Sequence, residues 1–342
     1  MHKTAALLIL ISAPASANGA ASGPAPVVAA EQAHVVVYDG WATPTSLWVS
    51  GRLLKGASAE KASNTASSAH NLAETLNALE SDEITGAELA VVTGGASWAV
   101  TTDADGNFEL KVNNLPRPLS QGAAPVEVSV VKPAAYAGQR GRGLLYVHPS
   151  SAATGLISDI DDTVVKTFVT DKKRMLTQLF SKNAAQLEAV SGAAQNYQAV
   201  QKMGTTAFFY VSGSPQNLYV RLQSFLQNNG FPGGPILLKN IGEDSLFSQA
   251  DYKLRRIERI LAAFPLMRFV LVGDSGERDP EIYLEIQKRH PAAIIAIVIR
   301  KVAGLKHLQP ERCKNCTLVD DAYAADDVIA RLLQPLPAAT RP

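Results

Sequence analysis

Asp159, Asp161 and Asp162 sit together in the stretch Gly155-Leu-Ile-Ser-Asp-Ile-Asp-Asp-Thr-Val-Val-Lys166. The apolar lead-in Leu156-Ile157 reads as the end of a buried strand, on which Asp159 and Asp161 share a face while Ile160 turns to the core. Carboxylates that close repel, and removing them from water adds to the cost. A solvated turn would tolerate the charges. At the end of a buried strand a divalent cation is the simplest remedy, and hard oxygen ligands suit Mg²⁺. The chemistry open to such a pair is phosphoryl transfer, with Asp159 attacking phosphorus and Asp161 moving the proton.

Further elements end in groups that suit the same chemistry. Ala207-Phe-Phe-Tyr-Val211 runs into Ser212-Gly213-Ser214-Pro215, and Arg268-Phe-Val-Leu-Val272 runs into Gly273-Asp274-Ser-Gly-Glu-Arg-Asp279. Lys253 lies between them in the helix-like stretch Gln249 to Ala263. In an open parallel sheet, ligands bind beyond the carboxyl ends of the strands, which is where these groups gather. Ser212 and the amides of Gly213 and Ser214 can hold phosphoryl oxygens, with a helix amino terminus after Pro215 adding a favourable field. Lys253 can neutralise charge on the same oxygens. Each has a plainer role, since strand-end serines cap helices and helical lysines are solvated. Arg300, closing a later strand, either faces the site or makes an exposed ion pair.

Asp-x-Asp-x-Thr, a strand-end Ser, a Lys and Gly-Asp-x-x-x-x-Asp, in that order, resemble the motif series of the haloacid-dehalogenase-like phosphatases. The surrounding text, Asp159-Ile-Asp-Asp-Thr163, Tyr210-Val-Ser-Gly-Ser-Pro215 and Gly273 to Tyr283, is similar to the catalytic domain of the actin-patch-type phosphatidate phosphatases. The similarity covers about residues 145–305, with a looser likeness in the β-rich segment before it. Gln216 departs from it, standing where the family leads one to expect an aromatic residue. The resemblance implies Mg²⁺ held by Asp159, the Asp161 backbone carbonyl and Asp274, with Asp279 bracing that shell. It implies phosphatidate at a lipid surface as substrate, with diacylglycerol and phosphate as products. An exported phosphatase for small soluble phosphates is the alternative within enzymes. A glycan- or protein-binding module built on a retired phosphatase domain is the alternative outside them.

The elements that must position these groups follow from the rest of the chain. Its 342 residues suffice for two domains. Lysine plus arginine number 32 against 31 acids, which leaves no electrostatic footprint for nucleic acid. Met1-His-Lys, the apolar run Ala5 to Ile11 and Pro14-Ala-Ser-Ala17 read as a secretory signal peptide cut after Ala17. The apolar run is too short to span a bilayer. The expectation is a periplasmic or secreted protein with no transmembrane anchor in its mature form. Cys313 and Cys316 are the only cysteines. In an oxidising compartment they read as a local structural disulfide, in preference to a zinc or redox pair.

Residues 18–33 read as a disordered spacer. Residues 34–150 read as a small β-sandwich of strands starting near His34, Ser46, Ala87, Ser97, Asn107 and Pro125, whose partner the sequence does not specify. A short helix is expected from Leu72 to Leu79. Asp105-Gly106, between two alternating runs, signals a hairpin. Asp103-Ala-Asp-Gly-Asn107 resembles the start of a calcium loop, but Asn114 stands at the twelfth position, so a turn is expected. Trp41, Trp48 and Trp98 are expected in the core rather than as a ligand platform. Residues 151–335 alternate strands (155–160, 207–212, 235–239, 268–273, 293–299) with helices (214–228, 247–263, 278–289). That alternation signals a doubly wound, mostly parallel, Rossmann-like α/β domain, which the resemblance implies is of haloacid-dehalogenase type. Part of Asp171 to Leu187 is expected to cap the site.

Overall fold

The computed structural model describes residues 32–56, 66–67, 70–71, 83–149, 154–167, 182–204, 206–240, 249–302, 310–320, 323 and 327–334. The expected signal peptide, nearly all of the spacer, the helix 72–79 and residues 171–181 of the expected cap lie outside them. Glu31–Pro342 form one compact unit, and its strands fall into two sheets.

The first sheet contains β1 (Ala33–Thr43), β2 (Ser46–Lys55), β3 (Glu88–Thr93), β4 (Ala96–Thr101), β5 (Asn107–Asn113), β6 (Gly122–Lys132) and β7 (Arg140–Val147). Alternation explains them: along β2 and β3, apolar side chains turn inward and their neighbours outward. Two departures from expectation stand out. The sandwich of two separate sheets is instead one sheet in the order β4-β3-β6-β7-β1-β2-β5. A short parallel pairing of Gly40–Ala42 with Leu145–Val147 joins what would have been two sheets, and the end strands β4 and β5 approach each other. One core, including Val49, Leu89, Phe108, Val128 and Leu145, fills the resulting barrel-like curl.

The second departure is the Asp105-Gly106 hairpin. The turn forms, with Gly106 at φ +69° and Asp103 Oδ1 accepting the amides of Asp105 and Asn107 at 2.9 and 2.8 Å. It delivers β5 to β2, however, not back to β4. Leu53 N donates to Gly106 O at 2.9 Å and ties the turn to β2. The hairpin to β4 is closed by Gly94 and Gly95, both at positive φ, from β3, as a two-residue primed turn requires.

The second sheet is parallel throughout, ordered β10-β9-β8-β11-β12-β13. Its strands are β8 (Thr154–Ser158), β9 (Thr206–Pro215), β10 (Ile236–Lys239), β11 (Arg268–Asp274), β12 (Ile294–Arg300) and β13 (Thr317–Val319). Near-continuous apolar runs such as Ala207 to Val211 suit strands covered on both faces. Helices α1 (Ala193–Lys202), α2 (Tyr219–Asn228) and α5 (Val328–Leu333) pack on the face that carries Leu156, Tyr210 and Val270. Helices α3 (Gln249–Ala263) and α4 (Asp279–Arg289) pack on the opposite face, with Ile157, Phe209 and Leu271. Cys313 and Cys316 are joined as a disulfide. No helix among the described residues is long and apolar enough to cross a membrane.

The two sheets share buried side chains. Trp41 stacks on Trp48 (4.1 Å between centroids) and meets Phe209 edge-on (6.2 Å), so these tryptophans are packing residues. Asp39 N donates to the Tyr219 hydroxyl at 2.6 Å, while Gln223 and Leu144 N–H groups satisfy its carboxylate. Gln216 donates to Asn107 Oδ1 at 3.1 Å, so the residue that departs from the family pattern tethers the Ser-Pro loop to β5.

His148, half-buried against Phe209 and Phe264, gives this junction a pH dependence. Burial lowers its pKa from 6.5 to about 4. The unfolded chain therefore protonates at a higher pH than the folded one. Stability from this residue is intact above pH 6.5 and falls as pH drops towards about 4, by about 2 kcal/mol. In His148→Leu that part of the pH dependence should flatten, read from urea midpoints at about pH 7 and about pH 4.5. An unchanged difference between the two midpoints would refute it.

Candidate active site

β8 lies at the middle of the parallel sheet, so its carboxyl end opens between β9 and β11. Asp159 follows it directly, and its N–H donates to Val272 O at 2.9 Å. The chain then turns sharply, with Val164 and Val165 amides both donating to Ile160 O. Asp162 makes the turn possible. Its φ is +49°, a left-handed conformation that Asp tolerates. Its Oδ1 accepts Thr167 N at 2.8 Å, and its carbonyl accepts Arg300 Nη1. Arg300 thus braces the loop from beneath.

The second contribution comes from an irregularity in β9. Between the pairs Val211↔Leu237 and Pro215↔Lys239, β9 carries extra residues relative to β10, so Ser212-Gly213-Ser214 leave the regular ladder. Bulges of this kind re-aim side chains beside active sites. Ser212 and Ser214 hydroxyls donate to Asp161 Oδ2 at 2.7 and 2.9 Å, and Ser214 N donates to Ser212 Oγ at 2.9 Å. Burial raises the Asp161 pKa to about 6, aided by Glu277 and opposed by the two hydroxyls.

The third contribution comes from β11 and α3. Asp274 closes β11, and Asp279 opens α4. Gly273 has no room for a side chain, because a Cβ there would lie 2.4 Å from Asp279 Oδ2 and 2.7 Å from Tyr283. The glycine lets Asp279 fold back to accept Asp274 N at 3.2 Å. Lys253, 1% exposed, sits at the centre. Its Nζ lies 2.8 Å from Asp159 Oδ1, 2.7 Å from Asp279 Oδ1 and 3.0 Å from Glu277 Oε2. Thr163 Oγ1 donates to Asp159 Oδ2 at 3.2 Å.

One ammonium therefore faces more negative charge than it can balance. Burial raises the Asp159, Asp274 and Asp279 pKa values, with Lys253 opposing and neighbouring carboxylates adding to the rise. Burial disfavours charged Lys253, but Asp159, Asp279 and Glu277 outweigh it and hold its pKa above the ordinary lysine value. Oxygens of Asp159, Asp274 and Asp279 lie within 4.8 Å of one another. Asp274 Oδ2 is buried and without a hydrogen-bond partner among the described residues. Three buried hard-oxygen donors, one of them orphaned, fit a divalent cation of the Mg²⁺ type.

The residues singled out from sequence thus fall into two adjoining groups. Asp159, Lys253, Asp274 and Asp279 form one; Asp161, Ser212 and Ser214, with Gly213 between the serines, form the other. Sequence reasoning missed Glu277, although an acid inside the Gly-Asp-x-x-x-x-Asp motif could have flagged it. It missed Asp162 as the loop's organiser, because a left-handed residue leaves no mark in a single sequence.

Comparison with known proteins finds relatives of the part of the chain that carries this cluster. Residues 154–301 match the family described as phosphatidate phosphatase APP1, catalytic domain. Phosphatidate phosphatase APP1 of Saccharomyces cerevisiae is 34% identical over 219 residues, 60% of this chain and 35% of that protein. An uncharacterised protein of Schizosaccharomyces pombe is 28% identical over 151 residues, 43% of this chain and 25% of its own length. The chain thus spans only about a third or less of these relatives. A carbohydrate acetylesterase of Xanthomonas citri superposes with a TM-score of 0.31 at 11% identity, over 89% of this chain and 73% of that one. That likeness is too loose to carry an argument. Over residues 154–301, the part of the chain that carries the parallel sheet and the acidic cluster, the chain is thus similar to the catalytic domain of phosphatidate phosphatase APP1.

Proposed function

We propose that the chain is a Mg²⁺-dependent phosphomonoester hydrolase that acts through an aspartyl-phosphate on Asp159, with phosphatidate as substrate. The observation that carries the reading is the convergence of Asp159, Asp274, Asp279 and Lys253 at the carboxyl end of a parallel sheet. On this reading 34–150 and 151–335 are its two domains, the second of haloacid-dehalogenase type. The mature protein acts in the periplasm or beyond, after cleavage following Ala17.

Lys253 keeps Asp159 ionised and aimed. An Asp159 oxygen attacks phosphorus, the ester P–O bond breaks, and Asp161 gives its proton to the leaving diacylglycerol oxygen. Asp161, now a carboxylate, takes a proton from water. That water attacks phosphorus, frees phosphate and restores Asp159. A group with a pKa of about 6 can serve in both directions near neutral pH. Ser212 and Ser214 orient Asp161 and, with Gly213, exchange onto phosphoryl oxygens as substrate enters. Asp159, Asp274 and the Asp161 carbonyl would hold Mg²⁺, with Asp279 bracing them. The cation, when bound, offsets repulsion between nucleophile and phosphate.

The test is Mg²⁺-dependent phosphate release from phosphatidate in mixed micelles, against soluble sugar and nucleotide phosphates. Phosphatidate should have the higher kcat/KM by at least about tenfold, roughly 1.4 kcal/mol of transition-state discrimination. Equal or better turnover of soluble phosphates would point to the small-molecule phosphatase. Release from none of them would favour a retired enzyme serving as a binding module.

A further inference from the structure

Arg312 stands outside the acidic cluster, yet it is tied to the segment that carries two of the cluster's acids. It lies in the short helical turn Pro310–Cys313. Cys313, next in the chain, is buried in the core shared with α3 and α4 and joined to Cys316, which anchors the base of the Arg312 side chain. Nη1 donates to Ser275 O at 3.1 Å, and Nη2 donates to Glu277 O at 2.8 Å. Nε and Nη2 also donate to the two carboxylate oxygens of Glu281, at 2.6 and 3.1 Å. A guanidinium has five N–H donors, and four hydrogen bonds of this one hold the loop and α4 together.

The loop so gripped is the one that aims Asp274. Residues 275–278 join Asp274, which closes β11, to Asp279, which opens α4. The Gly276 and Glu277 amides donate to Asp274 Oδ1 at 2.5 and 3.1 Å, while the Ser275 and Glu277 carbonyls accept from Arg312. The loop's peptide groups are therefore held from both sides. With Oδ1 occupied by two amides, Asp274 Oδ2 is left buried and without a hydrogen-bond partner among the described residues. The loop sets the rotation of this carboxylate, and with it the place of the unpartnered oxygen.

The Ser275 carbonyl and the Gly276 amide belong to one peptide group. A single chain of hydrogen bonds thus runs from the guanidinium, through that peptide, to Asp274 Oδ1. Hydrogen bonds in series polarise and strengthen one another, so the cation at one end favours the ionised carboxylate at the other. The influence is mutual: Glu281 chiefly, and Asp274 in smaller part, hold the Arg312 pKa above its ordinary value. A lysine could not take this place. Its one nitrogen is a compact charge, whereas the planar fork spans acceptors on the loop and on α4 at once.

We propose that Arg312 is a positioning residue for the cation site, holding the loop 275–278 so that Asp274 keeps one oxygen engaged and presents the other. It touches neither cation nor substrate and acts through the loop alone. The assignment rests on the reading above in which Asp159, Asp274 and Asp279 hold a divalent cation, but it can be tested without turnover.

The experiment titrates the full chain with MgCl₂ and compares wild type with Arg312→Lys, Arg312→Gln and Glu281→Gln. Two readouts give the Mg²⁺ midpoint: the rise in Tm and the rate of aryl phosphate hydrolysis. In both Arg312 variants the midpoint should rise about tenfold, the scale on which groups behind a metal's ligands act. At saturating Mg²⁺, KM for the aryl phosphate and kcat should return to within about threefold of wild type. Glu281→Gln leaves the two carbonyl contacts in place, so it should lower Tm while its Mg²⁺ midpoint stays near the wild-type value. If Arg312→Gln does not fold, Arg312→Lys, which keeps the charge, carries the comparison. An unchanged midpoint in the Arg312 variants would overturn the proposal and leave Arg312 as a staple between its turn and α4. An equal rise in Glu281→Gln would also overturn it, because the ion pair rather than the loop would then set the site. A wild type whose Tm responds to Mg²⁺ but which hydrolyses nothing ends the phosphatase reading alone, and a midpoint shifted in the Arg312 variants would still support the positioning role. A wild type indifferent to Mg²⁺ in both readouts removes the cation site, and this proposal with it.

Discussion

Asp159→Asn is expected to cut phosphate release by at least about a thousandfold, the scale on which loss of a catalytic nucleophile acts. A neutral amide cannot attack phosphorus at a useful rate. The substitution keeps the shape of a side chain that is 0% exposed. It also removes one negative charge from a cluster in which Asp159, Asp274, Asp279 and Glu277 share a single ammonium. Stability should therefore be preserved or rise slightly, so lost activity could not be ascribed to unfolding. Steady-state phosphate release alongside a thermal melt reads both quantities. Retention of a tenth or more of the activity, by rough reckoning against that scale, would remove Asp159 from the nucleophile's role.

Lys253→Met should lose activity and also destabilise the fold, by about 3–5 kcal/mol at neutral pH, because one partner is taken from a buried ionic group. Four carboxylates then lack their cation, and the variant should depend on Mg²⁺ for stability more steeply than wild type does. The sign of the pH dependence follows from the raised carboxylate pKa values. A carboxylate with a raised folded pKa binds its proton more tightly when folded, so falling pH favours the folded state until the unfolded value of 3.8 is reached. The deficit of the variant should therefore shrink as pH is lowered from about 7 to about 5. Urea titrations with Mg²⁺ and with a chelator, at both pH values, measure it. A loss below about 1 kcal/mol with no response to Mg²⁺ would mean that Lys253 does not hold the cluster together.

These expectations rest on different layers of information. The strands of the parallel sheet were legible because each is a short apolar run ending in polar residues, and burial on both faces demands such runs. Strand ends shifted only slightly: β9 runs on to Pro215, and β8 stops at Ser158. Where the next strand should pair is a different question. The run 107–113 was recognisable as a strand, but a turn signal cannot say which neighbour receives it. β5 went to β2 because backbone pairing and a shared apolar core decide that, over a long stretch of chain. The strand Arg140–Val147 went unrecognised because Gly141 and Gly143 weaken its pattern. Both glycines are needed for close approach to Val35 and Val37 of β1.

By itself, the order of residue types determined which chemistry was possible here: carboxylates, serines and a lysine at strand ends, in an order that suits phosphoryl transfer. Only the folded chain decided how they divide the work. Lys253 draws together carboxylates from two segments far apart in the chain, Asp159 after β8 and the pair Glu277 and Asp279 after β11. Charge balance in a buried site depends on distances of a few ångströms between residues far apart in the chain. Periodicity and spacing report on neighbours along the backbone, so they can name the groups but not pair them.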